Sequence, residues 1–136
     1  MTEFRVHRQL LEDCHYLGRT GCCHILLHRN GGLPWYIVVP ETGALELDEL
    51  TNDERYEVDL ITDALARFLK QHQQCQRSNV AAIGNRVPQL HIHVVGRWEG
   101  DPCWPDVVWG NLPPAPARSE TEVDELGRLV LAQLAE

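Results

Sequence analysis

Asn79-Val80-Ala81-Ala82-Ile83-Gly84-Asn85-Arg86-Val87-Pro88-Gln89-Leu90-His91-Ile92-His93-Val94-Val95 carries the strongest signal in the chain. From Gln89 onward polar and apolar residues alternate, the period-two pattern of a β-strand. That period puts Gln89, His91 and His93 on one face and Leu90, Ile92 and Val94 on the other. Same-face neighbours on a strand lie roughly 6.6 Å apart, because each residue rises about 3.3 Å. Two imidazoles and a carboxamide in one row can converge on a single small group such as a phosphate.

Three explanations fit that row. A half-solvated antiparallel strand carries polar residues on its water side, and two histidines can fall there by chance. A His-x-His strand can also supply two ligands to a metal ion. Alternatively, one neutral imidazole acts as a nucleophile while the other donates a hydrogen bond to a phosphoryl group. The preceding residues favour an oxyanion over a cation. Gly84 permits a tight turn whose N–H groups can form an anion-binding nest, and Asn85 and Arg86 bring amide and guanidinium donors alongside. No third ligand stands at a zinc-like spacing.

Working outward, Cys14–Leu17, Cys22–His28 and Tyr36–Val39 read as strands separated by Gly18, Gly21 and the Asn30-Gly31-Gly32 turn. Phe4–Glu12 reads as a turn or short helix anchored by Leu10 and Leu11, and Glu41–Leu50 as a linking loop. Thr51 and Glu54 form a capping box that opens a helix running to about His72, with Val58, Ile61, Leu65, Phe68 and Leu69 as its apolar stripe. Val80–Ile83 and Leu90–Gly96 complete five short strands. A proline- and tryptophan-rich arm follows Arg97. A second capping box, Ser119 and Glu122, then opens a helix striped by Val123, Leu126, Val130 and Leu134. The pattern predicts an α+β fold in which a five-stranded, mainly antiparallel sheet carries one long helix and a C-terminal helix. A single domain spans 1–136, with the arm and last helix at about 97–136.

The formal net charge of −8 over 136 residues argues against a nucleic-acid partner, which needs a basic surface, but not against a small phosphate ligand. No apolar run suits a membrane, and no signal segment is recognisable at the N-terminus, so the cytoplasm is the expected compartment. The five cysteines form no disulfide framework. Cys22 and Cys23, adjacent on an expected strand, should point to opposite faces.

The segment Gln89-Leu90-His91-Ile92-His93-Val94-Val95, preceded by Gly84-Asn85-Arg86-Val87, resembles the signature of the histidine triad (HIT) family of nucleotidyl hydrolases and transferases. Leu33–Pro40, Asp101–Pro105 and Val108–Gly110 extend the likeness. The resemblance implies a HIT-like fold in which His91 is the nucleophile that attacks the α-phosphorus to give a nucleotidyl-histidine. His93 would contact phosphate oxygens or help protonate the leaving group. Asn85 and Asn79 would face the phosphates, while Arg86, which replaces a hydroxyl residue of the family pattern, would add a guanidinium donor for substrate beside them. Asn30 corresponds to a ribose-binding residue, and Trp104 to a tryptophan near the active site, sometimes that of a partner subunit. The substrate implied is a dinucleoside polyphosphate or a nucleoside phosphoramidate. No tightly bound cofactor is implied, with Mg2+ only as the companion of a polyphosphate. A homodimer joined through sheet edges is implied as well.

Two departures from the family pattern stand out. Gln89 replaces the first histidine, and Trp35 falls where a supporting histidine often stands. A carboxamide can still orient His91 but cannot titrate near neutral pH. The chain therefore reads as a variant branch. The rival readings are a nucleotide-binding module with little turnover and a metal-dependent enzyme using His91, His93 and His24 or His28.

Overall fold

A computed structural model describes residues 3–136. Helix α1 (Arg8–Asp13) leads into strands β1 (Cys14–Thr20), β2 (Cys23–His28) and β3 (Trp35–Pro40). Helix α2 (Asn52–His72) precedes β4 (Arg77–Ala81) and β5 (Ile92–Arg97), and helix α3 (Glu120–Leu134) follows the arm. The strands pair antiparallel in the order β1-β2-β3-β5-β4, which puts β5 inside the sheet and leaves β1 and β4 at its edges. The α+β class, the five strands and both long helices agree with the sequence reading.

Both capping boxes form. Thr51 Oγ1 accepts the Glu54 N–H at 3.2 Å while the Glu54 carboxylate accepts the Thr51 N–H at 2.9 Å. Ser119 and Glu122 repeat the exchange at the start of α3. Each such cap contributes about 1 kcal/mol by satisfying N–H groups that the first helical turn leaves free. The apolar stripe of α2 then packs on one face of the sheet, against Ile25, Leu27, Tyr36, Val38, Ile92 and Val94, and Val123 and Val130 of α3 join the same layer. Gly96 allows this close packing: a Cβ there would stand 2.4 Å from Cys75 Sγ and 2.9 Å from a Leu69 methyl.

The opposite face is built differently. Leu26, Trp35, Ile37, Val39 and Val95 are covered by Leu10 of α1, Val87 before β5 and Val108 of the arm. Every residue of β5 is buried. The solvated-face explanation of the histidine row therefore fails, because an internal strand with cover on both sides has no water side.

Several expectations need correction. Leu10 is buried but Leu11 is exposed, since consecutive helical residues diverge by about 100° and only one can face the sheet. β1 continues past Leu17 to Thr20, with a register irregularity between Tyr16 and Gly18 that a simple alternation rule ends on too early. β4 lies three residues before its expected start, and β5 begins at Ile92. Cys22 sits in the turn ahead of β2, outside the strand alternation, so its Sγ approaches that of Cys23 to 3.8 Å. Among the described residues no helix is long and apolar enough to cross a membrane.

Candidate active site

The second face of the sheet holds a cleft of about 670 Å³. His91 and His93 line it, together with Ile83, Asn85 and Arg86 from the loop before β5. Leu10 and Asp13 of α1, His28, Asn30, Trp35 and Ile37 also line it, as do Val108, Trp109 and Leu112 of the arm. Arg86 is the cation of this lining and Asp13 its carboxylate.

His91 is 4 % exposed, and its Nδ1 lies 2.7 Å from the main-chain oxygen of Gln89. A carbonyl only accepts, so Nδ1 carries the hydrogen; in the neutral imidazole the lone pair then sits on Nε2. His93 makes the opposite choice. The indole Nε1–H of Trp35 donates to His93 Nδ1 at 3.0 Å, within a buried contact, so neutral His93 keeps its proton on Nε2. The two imidazole centroids are 5.0 Å apart with planes at 70°.

Burial pushes the His93 pKa down to about 4, and His91 and His28 add to the depression while a hydrogen bond with the Ile83 backbone opposes it. Trp35 is itself held. His28 stacks on it at 4.2 Å with planes 12° apart, and Trp109 meets it edge-on at 6.0 Å. Trp109 also stands edge-on to His93 at 5.3 Å. His28 is likewise shifted below its ordinary value by burial, with Asp13 pulling the other way.

The structure brings His91, His93, Asn85, Arg86 and Asn30 to one cleft and leaves three expected residues outside it. The Gln89 side chain turns to the N-terminal segment, where Oε1 accepts the His7 N–H and Nε2 donates to the Arg5 carbonyl, each at 2.8 Å. What Gln89 gives the site is its main-chain oxygen. Asn79 Oδ1 accepts from Arg97 Nη1 at 2.9 Å, because Arg97 is buried and needs acceptors on every side. Trp104 borders a separate recess with Lys70, Arg77 and Glu99, its ring 5.7 Å from the Arg97 guanidinium. Asn30 reaches the cleft, but its Oδ1 accepts from Gly32 N and its Nδ2 donates to the Pro113 carbonyl.

Sequence reasoning named His28 only as a candidate metal ligand beside His91 and His93, and missed Asp13 and Trp109 as members of the cleft as well as the bond from Trp35 to His93. Trp109 lies in a segment without periodicity, and Trp35 and His93 are 58 residues apart, so no local pattern links them. Among the described residues no group of three or more His, Cys, Asp or Glu is arranged to hold a metal ion. His24, one candidate third ligand, is bound by Tyr16 Oη at 2.7 Å and Glu41 Oε1 at 2.8 Å, and is not part of the cleft lining.

Comparison with known proteins agrees with this architecture. The HIT domain family model matches residues 10–100. A histidine triad protein from Marinobacter aquaeolei is 37 % identical, with a TM-score of 0.88 over 97 % of this chain and 98 % of that one. A histidine triad protein from Sinorhizobium meliloti is 33 % identical, with the same TM-score of 0.88 over 96 % of each chain. One from Bradyrhizobium japonicum is 31 % identical, again at a TM-score of 0.88, over 96 % of this chain and 97 % of that one. No protein among the curated sequences matches significantly. With the family model covering well over half of its length, the chain belongs to the HIT domain family, whose members are generally nucleotide-binding hydrolases or transferases.

Proposed function

We propose that this chain is a nucleotidyl hydrolase of a variant HIT branch, acting on a nucleoside phosphate joined to a second phosphate or to an amine. One observation carries the reading: His91 lines the cleft with Nδ1 tied to the Gln89 carbonyl, which leaves Nε2 of the neutral ring as the nucleophilic atom. Nε2 attacks the α-phosphorus, the P–N bond forms as the bond to the leaving group breaks, and the Gln89 carbonyl stabilises the charged imidazole. Asn85 and Arg86 offer donors for the oxygens on which charge builds, and the His93 Nε2–H joins them by exchanging its bond with the Ile83 backbone for one to phosphate. Water then attacks phosphorus, the P–N pair returns to Nε2, and the proton from water passes to solvent.

Brief incubation with a dinucleoside polyphosphate or an adenosine phosphoramidate should trap nucleotidylated protein. His91→Ala should lose both the adduct and turnover, by at least about a thousandfold. Unchanged hydrolysis by that variant would remove the assignment. A binding module with little turnover is the second reading, favoured by the two missing histidines; tight AMP binding without product release would select it.

The reading extends to a cytoplasmic homodimer joined through β4, an edge strand that leaves Val80 about half exposed. An open edge invites pairing, which gives the association a physical motive. Sedimentation as a monomer at micromolar concentration would contradict it.

A further inference from the structure

The indole of Trp35 fixes more than the position of His93. An indole N–H can only donate, so the ring nitrogen it meets must present a lone pair. Protonating His93 would set a second N–H against the first, inside a contact that water does not reach. Trp35 cannot easily turn aside, because His28 stacks on one part of it and Trp109 abuts another.

We propose that Trp35 is a positioning residue that holds His93 as a neutral hydrogen-bond donor, never as a proton-delivering acid, and thereby favours leaving groups that depart as phosphate anions over those that depart as amines. This rests on His91 being the nucleophile. When a phosphoanhydride is cleaved, the electron pair of the P–O bond leaves on a phosphate oxygen that is stable as an anion. When a phosphoramidate is cleaved, the pair goes to nitrogen, which must gain a proton before or during departure. Solvent must supply that proton if His93 cannot. The depressed basicity of His93 agrees with this: His91 and His28 act on the ring directly, and Arg86 and Asp13 are the charged groups that share its cleft.

Two measurements test the proposal. Nitrogen-15 NMR of the wild-type protein between pH 5 and 8 reads the ring directly, independent of turnover. It should find His93 in the Nε2–H tautomer throughout, and an Nδ1–H form or titration near the ordinary value would overturn the proposal alone. The second measurement is kcat/KM for a dinucleoside polyphosphate and a nucleoside phosphoramidate, in wild type and in Trp35→Phe, which keeps a ring and removes the N–H. The wild type should prefer the anhydride. In the variant the preference should fall roughly tenfold or more, given the 10²–10⁴ that a general acid supplies, and the phosphoramidate rate should gain a new acidic limb in its pH profile. An equal loss on both substrates with no change in pH profile would mean that Trp35 only supports the fold. A wild type that forms no nucleotidyl-histidine would remove the His91 reading, and the leaving-group claim with it, whatever tautomer NMR finds.

Discussion

Gln89 clamps the segment ahead of α1: its Oε1 accepts the His7 main-chain N–H while its Nε2 donates to the Arg5 carbonyl, both at 2.8 Å. One carboxamide thus makes the paired bonds that a neighbouring strand would make, and the same residue's carbonyl holds His91 Nδ1. An imidazole at this position cannot accept and donate in the same parallel geometry. Restoring the histidine of the family pattern, Gln89→His, should therefore lower kcat, by about tenfold, and not raise it. Gln89→Ala should cost about 1–3 kcal/mol, two neutral hydrogen bonds' worth. Steady-state kinetics and urea unfolding check the two claims, and faster turnover in Gln89→His would show that the glutamine limits catalysis.

Arg97 ties the arm to the sheet. Its guanidinium binds both oxygens of Asp101, at 2.7 and 3.1 Å, and reaches Asn79 Oδ1 and the Asp106 carbonyl. Both partners are buried, so removing one strands the other. Arg97→Met should destabilise by about 3–5 kcal/mol, and pairing it with Asp101→Leu should recover most of that loss. The arm also carries Trp109 against His93, so the single variant should weaken nucleotide binding before it unfolds. Unfolding curves together with nucleotide-induced thermal shifts would measure both effects.

These relationships mark the limit of what the sequence could convey. The Thr51 and Ser119 caps, the α2 stripe and the His91–His93 row are written in spacings of two to four residues, where local geometry dictates the answer. The cleft is not. Trp109 reaches His93 from an aperiodic arm, and α1 brings Asp13 from the other end of the chain. The family resemblance implies that Asn79 faces phosphate. Its strand instead pairs with β5 where Arg97 needs an acceptor, and a buried guanidinium with five donors wins that competition.

His93 should also set a pH dependence of stability. Its folded pKa of about 4 lies below the unfolded value of about 6.5, so between these values the unfolded chain binds the extra proton. Stability must then rise with pH across that window and level off above it. The contribution of His93 amounts to about 2 kcal/mol between pH 5 and 7.5. Asp101 acts lower down. Burial opposes its charge, but the Arg97 hydrogen bond and the Trp98 and Cys103 N–H groups outweigh that and keep its carboxyl below the ordinary range. Its stabilisation is therefore present above the usual carboxylate pKa and lost as pH falls through the folded value. Urea midpoints at pH 7.5 and 5 should differ clearly in wild type and by much less in His93→Gln; equal differences in the two would refute the assignment.

Asn30 and Asp13 face the same cleft, but among the described residues only Asp13 has a side-chain oxygen left to meet a ligand. Both ends of the Asn30 carboxamide are engaged, with Gly32 N at 2.9 Å and the Pro113 carbonyl at 3.0 Å. Among the described residues the Asp13 carboxylate is held by Gln9 Nε2 alone, at 3.0 Å on one oxygen, and its second oxygen remains able to accept. A ribose diol presents two O–H donors and suits such a carboxylate. Asp13→Asn should therefore raise KM for a ribonucleotide substrate about tenfold while leaving kcat and the KM of the 2′,3′-dideoxy analogue nearly unchanged, since one hydrogen bond to a charged group is worth about 1.5–3 kcal/mol. Asn30→Asp keeps the bond to Gly32 but sets a carboxylate oxygen against the Pro113 carbonyl. It should lower thermal stability and raise KM for both substrates alike, because it disturbs a wall of the cleft and not a sugar contact. A ribose-selective KM effect from Asn30→Asp, with none from Asp13→Asn, would reverse the two roles.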